Sequence, residues 1–339
     1  MEGKQIKRYG GLDIFRLAAA MMVIMIHTSP LSTYDTAADF FLTRVLARTA
    51  VPFFFMVSGH FVCASALLKE NKKGLISFLK KNMLIYGFIS LCYLPIALVA
   101  GLWDGSIWEL IRMLFFEGVF YHLWYFPACI VGCVVIAFLF KKINRKGMFV
   151  ICILLYLLGL FGDSYYGISV HIPIVADFYE RYFQFFSYTR MFMAPVFLFM
   201  GICLSQRKES KKKLYPVILW LFAMSIEAFI LRHFHLQRHD SMYLFLLPLM
   251  VYLFDYLKGL SIPSMKKIRT IATLIYLIHP AVILLLRGFA KMIHQVDLLV
   301  GNSLIFSLSV ILFSFLLSCL FVYSFSWFKK FARLHQSFK

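Results

Sequence analysis

Near the N-terminus lies an almost wholly apolar stretch, Gly11–Pro30 (GLDIFRLAAAMMVIMIHTSP), that nevertheless carries Arg16 and His27. An imidazole changes charge near neutral pH and can take a proton from a hydroxyl. A guanidinium is a permanent cation with a planar fork of donors that grips oxyanions. Eleven positions of helix return the two side chains to within about 20° of one face and set them roughly 16 Å apart. They cannot touch, but they can line one groove. Asp13, one turn before Arg16, is placed to form a helical ion pair that fixes the guanidinium. The alternative has Arg16 reaching to the inner headgroups and His27 resting at the outer interface.

Such groups need an apolar scaffold, and the whole chain supplies one. Of 339 residues 61% are hydrophobic and 15% charged, with 38 Phe and a mean hydropathy of +0.80. A soluble domain carries about a quarter charged residues. The apolar residues fall into blocks of about 17–25, the length a helix needs to cross ~30 Å of hydrocarbon. The alternation of an outer-membrane barrel is absent. The fold class expected is therefore an all-α integral membrane protein with about ten transmembrane helices, near 11–30, 46–68, 82–101, 123–140, 147–162, 190–206, 214–232, 241–257, 270–289 and 302–327. Residues 1–339 read as one transmembrane domain, with no internal repeat, and the first span reads as a retained helix rather than a cleaved signal.

Charge orients the spans. With both termini cytoplasmic, the inner segments hold 25 of the 35 Lys and Arg, as the positive-inside rule requires. The net charge of +19 is then a matter of topology, and the partner it implies is the bilayer with anionic inner-leaflet lipid. No nucleic acid is expected, because the cations form short separated loops rather than one patch. The location expected is a bacterial plasma membrane, multi-pass.

Further polar groups interrupt the oil. His279 precedes Pro280, whose missing N–H frees a carbonyl in mid-helix. Glu227 sits mid-span in LFAMSIEAFIL, where a carboxyl is protonated, paired across helices or part of a pathway. Arg48, Ser58, His122, Trp124 and Arg190 are placed to shape a cavity between helices. Each also has a plain structural role open to it: close helix packing for Ser58, interfacial anchoring for Trp124, reaching to the outer headgroups for Arg48 and Arg190. The seven Cys (63, 92, 129, 133, 152, 203, 319) lie inside apolar segments and read as small core residues. No metal site is expected.

Five blocks in order carry a resemblance across nearly the whole chain. They are LDIFRLAAAMMVIMIH (12–27) with its Arg-x10-His spacing, RTAVPFFFMVSGHF (48–61), HLWYFPA (122–128), TRMFMAPVFLFMGI (189–202) and YLIHP (276–280). Together they resemble the acyltransferase-3 family of bacterial integral-membrane O-acyltransferases. The resemblance implies transfer of an acyl group from a cytoplasmic donor, an acyl-coenzyme A or similar, to a small or cell-envelope hydroxyl acceptor. It implies a catalytic set of His27, Arg16 and Asp13, with His27 as base, and Lys80 and Lys81 helping to hold an anionic donor. There is a departure here: the family often has Arg-x-x-Arg where its third helix begins, whereas Lys80 and Lys81 lack the bidentate fork. His60, after Ser58-Gly59, is a second departure.

Within that family the chain resembles the membrane half of VanT-type membrane-bound serine racemases of vancomycin resistance. That similarity implies a cytoplasmic pyridoxal-phosphate racemase domain as partner in the full-length protein. With the sequence ending at Lys339, residues 1–339 are expected to bind no pyridoxal phosphate and to racemise nothing by themselves. It also raises a rival function, L-serine binding or import, with Arg16 or Arg48 taking the carboxylate and Glu227 the ammonium. A passive membrane anchor is the third alternative, though five polar blocks are more than an anchor requires.

Overall fold

The computed structural model describes residues 9–103, 105–183, 190–207 and 212–337, with side chains described through 324. The described residues contain helices and no strand. Ten longer helices run in chain order: α1 Gly10–Thr28, α2 Thr36–Leu68, α3 Lys72–Val99, α4 Tyr125–Lys142, α5 Arg145–Phe161, α6 Met193–Gln206, α7 Tyr215–His233, α8 Leu246–Gly259, α9 Lys266–Met292 and α10 Ser303–Ser337. Each expected span overlaps one of these helices. Most of the N-terminal tail, part of the 205–214 loop and the side chains of the C-terminal tail, which carry many of the inner cations, lie outside the described residues.

Seven of the ten are long and apolar enough to cross a membrane. The other three, α5, α6 and α8, have 17, 14 and 14 residues. A 14-residue helix rises only about 21 Å. The reasons differ. In α6 every residue from Met193 to Ile202 is buried, so its hydropathy reflects burial inside protein rather than contact with lipid. The span expected from 241 starts as helix only at Leu246, because carboxylates hold the backbone N–H groups of residues 241, 242, 244 and 245. At α2 the difference runs the other way. Asp35 caps the helix through its Oδ1, which accepts from the Ala37 and Ala38 amides at 2.7 and 2.8 Å, so helix begins ten residues before the expected 46.

The chain divides into two compact units, residues 1–50 with 257–339, and residues 51–256. In the first, α1 packs on α9 and α9 on α10 around Ala20, Ile24, Ile271, Ala272, Ile275, Val282, Ile283, Phe306 and Val310. The start of α1 lies tight against the chain leading into α9, since the Gly10 amide donates to the Ile262 carbonyl at 3.0 Å. In the second unit α6 packs against α2, α4 and α5. A Cβ on Gly59 would collide with the Leu198 carbonyl, and one on Gly201 with the Met56 carbonyl. Glycine at these two positions lets the backbones of α2 and α6 touch.

Candidate functional site

In the first unit α1 and α9 bring four chemically capable side chains together, in two pairs. The rings of His27 and His279 stack, with centroids 5.6 Å apart and planes inclined by 19°. Toward the N-terminal ends of the same helices, Arg16 Nη1 lies 3.1 Å from Asp13 Oδ1, and Arg269 Nε lies 3.7 Å from the same oxygen. Arg16 and His27 are eleven positions apart on α1; Arg269 and His279 are ten apart on α9. Those intervals correspond to about 16 and 15 Å of helix rise. The two helices thus run side by side in the same direction, as a ladder with a guanidinium rung at one end and an imidazole rung at the other.

The backbone of α9 sets the imidazole rung. Pro280 has no N–H, so the Tyr276 carbonyl four residues earlier loses its helical donor. His279 Nδ1 lies 2.8 Å from that carbonyl and 3.2 Å from the Ile275 carbonyl. Both contacts are acceptors, so Nδ1 carries the proton and donates. In the neutral ring Nε2 is then the basic nitrogen. The ring is fully buried. His27, half-buried, sits in the last turn of α1, the end of a helix that favours a cation.

Asp13 organises the other rung. It is 2% exposed, and while Oδ1 faces the two guanidinia, Oδ2 accepts from the Ser264 hydroxyl at 3.1 Å and the Met265 amide at 2.8 Å. Met265 is the residue before α9. One carboxylate therefore caps α9, fixes α1 beside it and orients Arg16 and Arg269. Arg48 belongs to the same unit, on a tight turn within α2 that packs against α1.

The remaining expected residues lie in the second unit. The Ser58 hydroxyl donates back to the Phe54 carbonyl at 3.1 Å, an intrahelical bond that fits its packing role. Lys80 and Lys81 line, with Lys73, Ser77, Ile76 and Leu84, an open groove along one side of α3. His122, 2% exposed, is edge-on to Tyr93 at 5.1 Å. Trp124 carries the Arg190 guanidinium over its ring at 5.3 Å, so these two expected residues are brought together. Arg190 Nη2 also donates to His239 Nε2 at 2.6 Å. His239 Nδ1 lies 2.6 Å from the Ser241 hydroxyl and 3.7 Å from Asp163. Fully buried Asp163 also accepts from the Ser241 amide at 2.8 Å.

Glu227 is held by its own unit. Its Oε1 accepts from the Tyr165 hydroxyl at 2.8 Å and the Leu244 amide at 2.6 Å, and Oε2 from the Phe245 amide at 2.9 Å. Burial, and then the carboxylate beside it, push the Tyr165 phenol up, so it stays a donor. Three of roughly four acceptor sites on that carboxylate are taken. These partners are a phenol and two backbone amides in the turns beside α5 and α8. Asp163, His239 and Arg269 were not singled out from sequence. For Arg269 there was a signal, a cation ten residues before the His-Pro of its own helix.

Comparison with known proteins places the chain in a family. A family model described as an acyltransferase domain, Acyl_transf_3, matches residues 9–323. An amino-acid racemase of Enterococcus faecalis is 38% identical over 313 residues, covering 89% of this chain and 43% of the relative. A serine/alanine racemase of Enterococcus gallinarum is 34% identical over 332 residues, covering 94% and 47%. The chain thus spans a little under half the length of these relatives. No solved structure matches it. With the family model running from the entry of α1 into α10, over both rungs of the ladder, this multi-pass membrane chain belongs to the acyltransferase-3 family.

Proposed function

We propose that the chain is a membrane O-acyltransferase whose working residues stand on α1 and α9, with His27 as the base. The observation that carries this reading is the stacked His27–His279 pair, one helix length away from Arg16. His27 takes the proton of an acceptor hydroxyl as the oxygen attacks the acyl carbonyl carbon. The carbon–sulfur bond of a thioester donor then breaks, and the proton passes to the departing thiolate. His279, held as the Nδ1–H form by the Tyr276 carbonyl, packs against the imidazolium that forms and fixes its ring plane. A donor with an anionic head and a distant reacting carbon fits a ladder about 15–16 Å long. An acyl-coenzyme A has that build.

In this proposal all ten helices, with shorter α5, α6 and α8 counted, cross the bilayer and both termini are cytoplasmic. The 25 inner cations among 35 support that orientation. Arg16 then lies toward the donor side and His27 toward the acceptor side, where a small or cell-envelope hydroxyl is acylated. The racemase names of the relatives link the activity to a cytoplasmic racemase domain, and vancomycin resistance is the setting proposed.

The test is release of free thiol from acetyl-coenzyme A by the chain in proteoliposomes, with cell-wall glycan fragments or L-serine as hydroxyl acceptor. Acceptor-dependent release lost in His27→Ala is expected; release unchanged in that variant would end the reading. The same relatives favour one rival, L-serine import. It predicts saturable uptake of labelled L-serine into sealed vesicles, and no uptake above empty vesicles removes it. Glu227, clamped on residues 244 and 245, is poorly placed to serve its ammonium, so the rival needs another acid.

A further inference from the structure

Lys80 and Lys81 leave a problem for the proposed activity. They line an open groove on α3, and neither offers the flat double-donor edge that selects a phosphate. A thioester donor of the coenzyme A type carries its negative charge as phosphates, and a site that recognises it needs more than one point charge.

Such a pair of forks exists elsewhere. Arg16 and Arg269 approach one oxygen of Asp13, at 3.1 and 3.7 Å. Two permanent cations, each with a planar fork of donors, converge on one carboxylate oxygen. The second oxygen of Asp13 is engaged by Ser264 and Met265, so the carboxylate is held in place and orients both guanidinia. The side chain of Arg16 is 14% exposed and that of Arg269 37% exposed, which leaves the pair within reach of a ligand while its Asp13 anchor stays buried. Plain topology explains a cation at the start of α9, but Lys266 and Lys267 already provide that. It does not explain an arginine turned onto the carboxylate that orients Arg16.

We infer that Arg269 is the second donor-binding arginine: Arg16 and Arg269 together clamp a phosphate-bearing head, with Asp13 as the residue that positions both. This rests on the proposed acyl-transfer reading for the identity of the donor, and it names the chemistry of that donor as a phosphate ester or diphosphate. A free carboxylate such as that of L-serine is the competing ligand.

The experiment is calorimetric titration of the whole chain in lipid nanodiscs with three probes: coenzyme A without an acyl group, inorganic pyrophosphate, and L-serine. Both phosphate probes should bind. Arg269→Gln should weaken them about tenfold or more, Arg269→Lys less, because the ammonium keeps the charge and loses the fork. The double variant Lys80→Gln/Lys81→Gln should change affinity less than Arg269→Gln does. Thermal unfolding of Arg269→Lys and Arg269→Gln near that of the parent shows that the fold is kept. Undiminished phosphate binding in Arg269→Gln overturns the inference, and so does a parent that binds L-serine but neither phosphate probe. Its failure is separable from failure of the transfer reading. Acetyl transfer with unchanged KM in Arg269→Gln would sink the inference alone. Arg269-dependent coenzyme A binding without transfer to any hydroxyl would sink the transfer reading alone.

Discussion

Each unit holds a grouping of arginine, histidine and aspartate, and the two groupings are put together differently. In the unit containing α1 and α9 the arginines and histidines stand at opposite ends of a ladder, each kind meeting its own kind, with Asp13 at the arginine end. In the other unit Arg190, His239, Ser241 and Asp163 are bonded in sequence, and Arg190 also covers Trp124. There the bonds hold the chain between α7 and α8. Residue type does not decide function. In the proposed reading, the network's bonds tie the chain together, whereas those of the ladder orient side chains for chemistry.

That comparison is sharpest at the two buried carboxylates and the histidines each unit holds. Removing an imidazole from the ladder should cost activity, and removing one from the network should cost stability. We expect His279→Ala to lower acyl transfer by about a hundredfold, in the range for groups that assist proton transfer, while His239→Ala leaves the transfer rate within about threefold and lowers the melting temperature instead. Steady-state rates and thermal unfolding of the two variants, measured side by side, decide it. Equal losses of rate would abolish the distinction.

Next in size is Glu227→Leu. It strands the Tyr165 hydroxyl and two backbone amides, each at about 1–3 kcal/mol when buried and unsatisfied. Denaturant unfolding should show a loss of at least about 2 kcal/mol, with the KM of the folded fraction unchanged. A raised KM with full stability would instead mean that Glu227 meets substrate.

Pro280→Ala should have a smaller effect of the opposite kind. It returns a donor to the Tyr276 carbonyl and so competes with His279 Nδ1 for it. Stability should hold or rise, and transfer should fall by about tenfold as the tautomer and ring plane are released. Full activity in that variant would show that the proline break does not set the imidazole.

The smallest effect concerns Asp35, whose carboxyl is held below its ordinary 3.8 by the Ala38 and then the Ala37 amide. A depressed folded value stabilises above the unfolded value near 3.8 and loses that contribution as pH falls through the folded one. Asp35→Asn keeps the cap and removes its charge, so helix content followed from pH 6 to pH 2 should show a shallower acid decline. An identical acid limb would remove Asp35 from the account.

How much of this could be read beforehand follows from where each group sits. Arg16, His27 and His279 stand out because ionisable groups are costly in an apolar run, and the helix period places Arg16 and His27 on one face. The stacking of His27 on His279 depends on how α1 meets α9, which neither helix's own pattern encodes. Arg269 was hidden by its position, since cations at the inner ends of spans are what topology alone demands. Asp163 and His239 lie in irregular segments with no period to betray a neighbour about 76 residues away in sequence. The same bonds explain the misplaced start of α8. Its first residues are apolar enough to continue the helix, but their amides are spoken for by Asp163 and Glu227.

The central claim is that α1 and α9 carry one site, and a double-mutant cycle between His27 and His279 tests it most directly. Transfer rates from acetyl-coenzyme A would be compared for the parent, His27→Ala, His279→Ala and the double variant. The account predicts strong non-additivity, with the double variant little slower than His27→Ala alone. Losses that simply multiply, as for two residues that never meet, would contradict it.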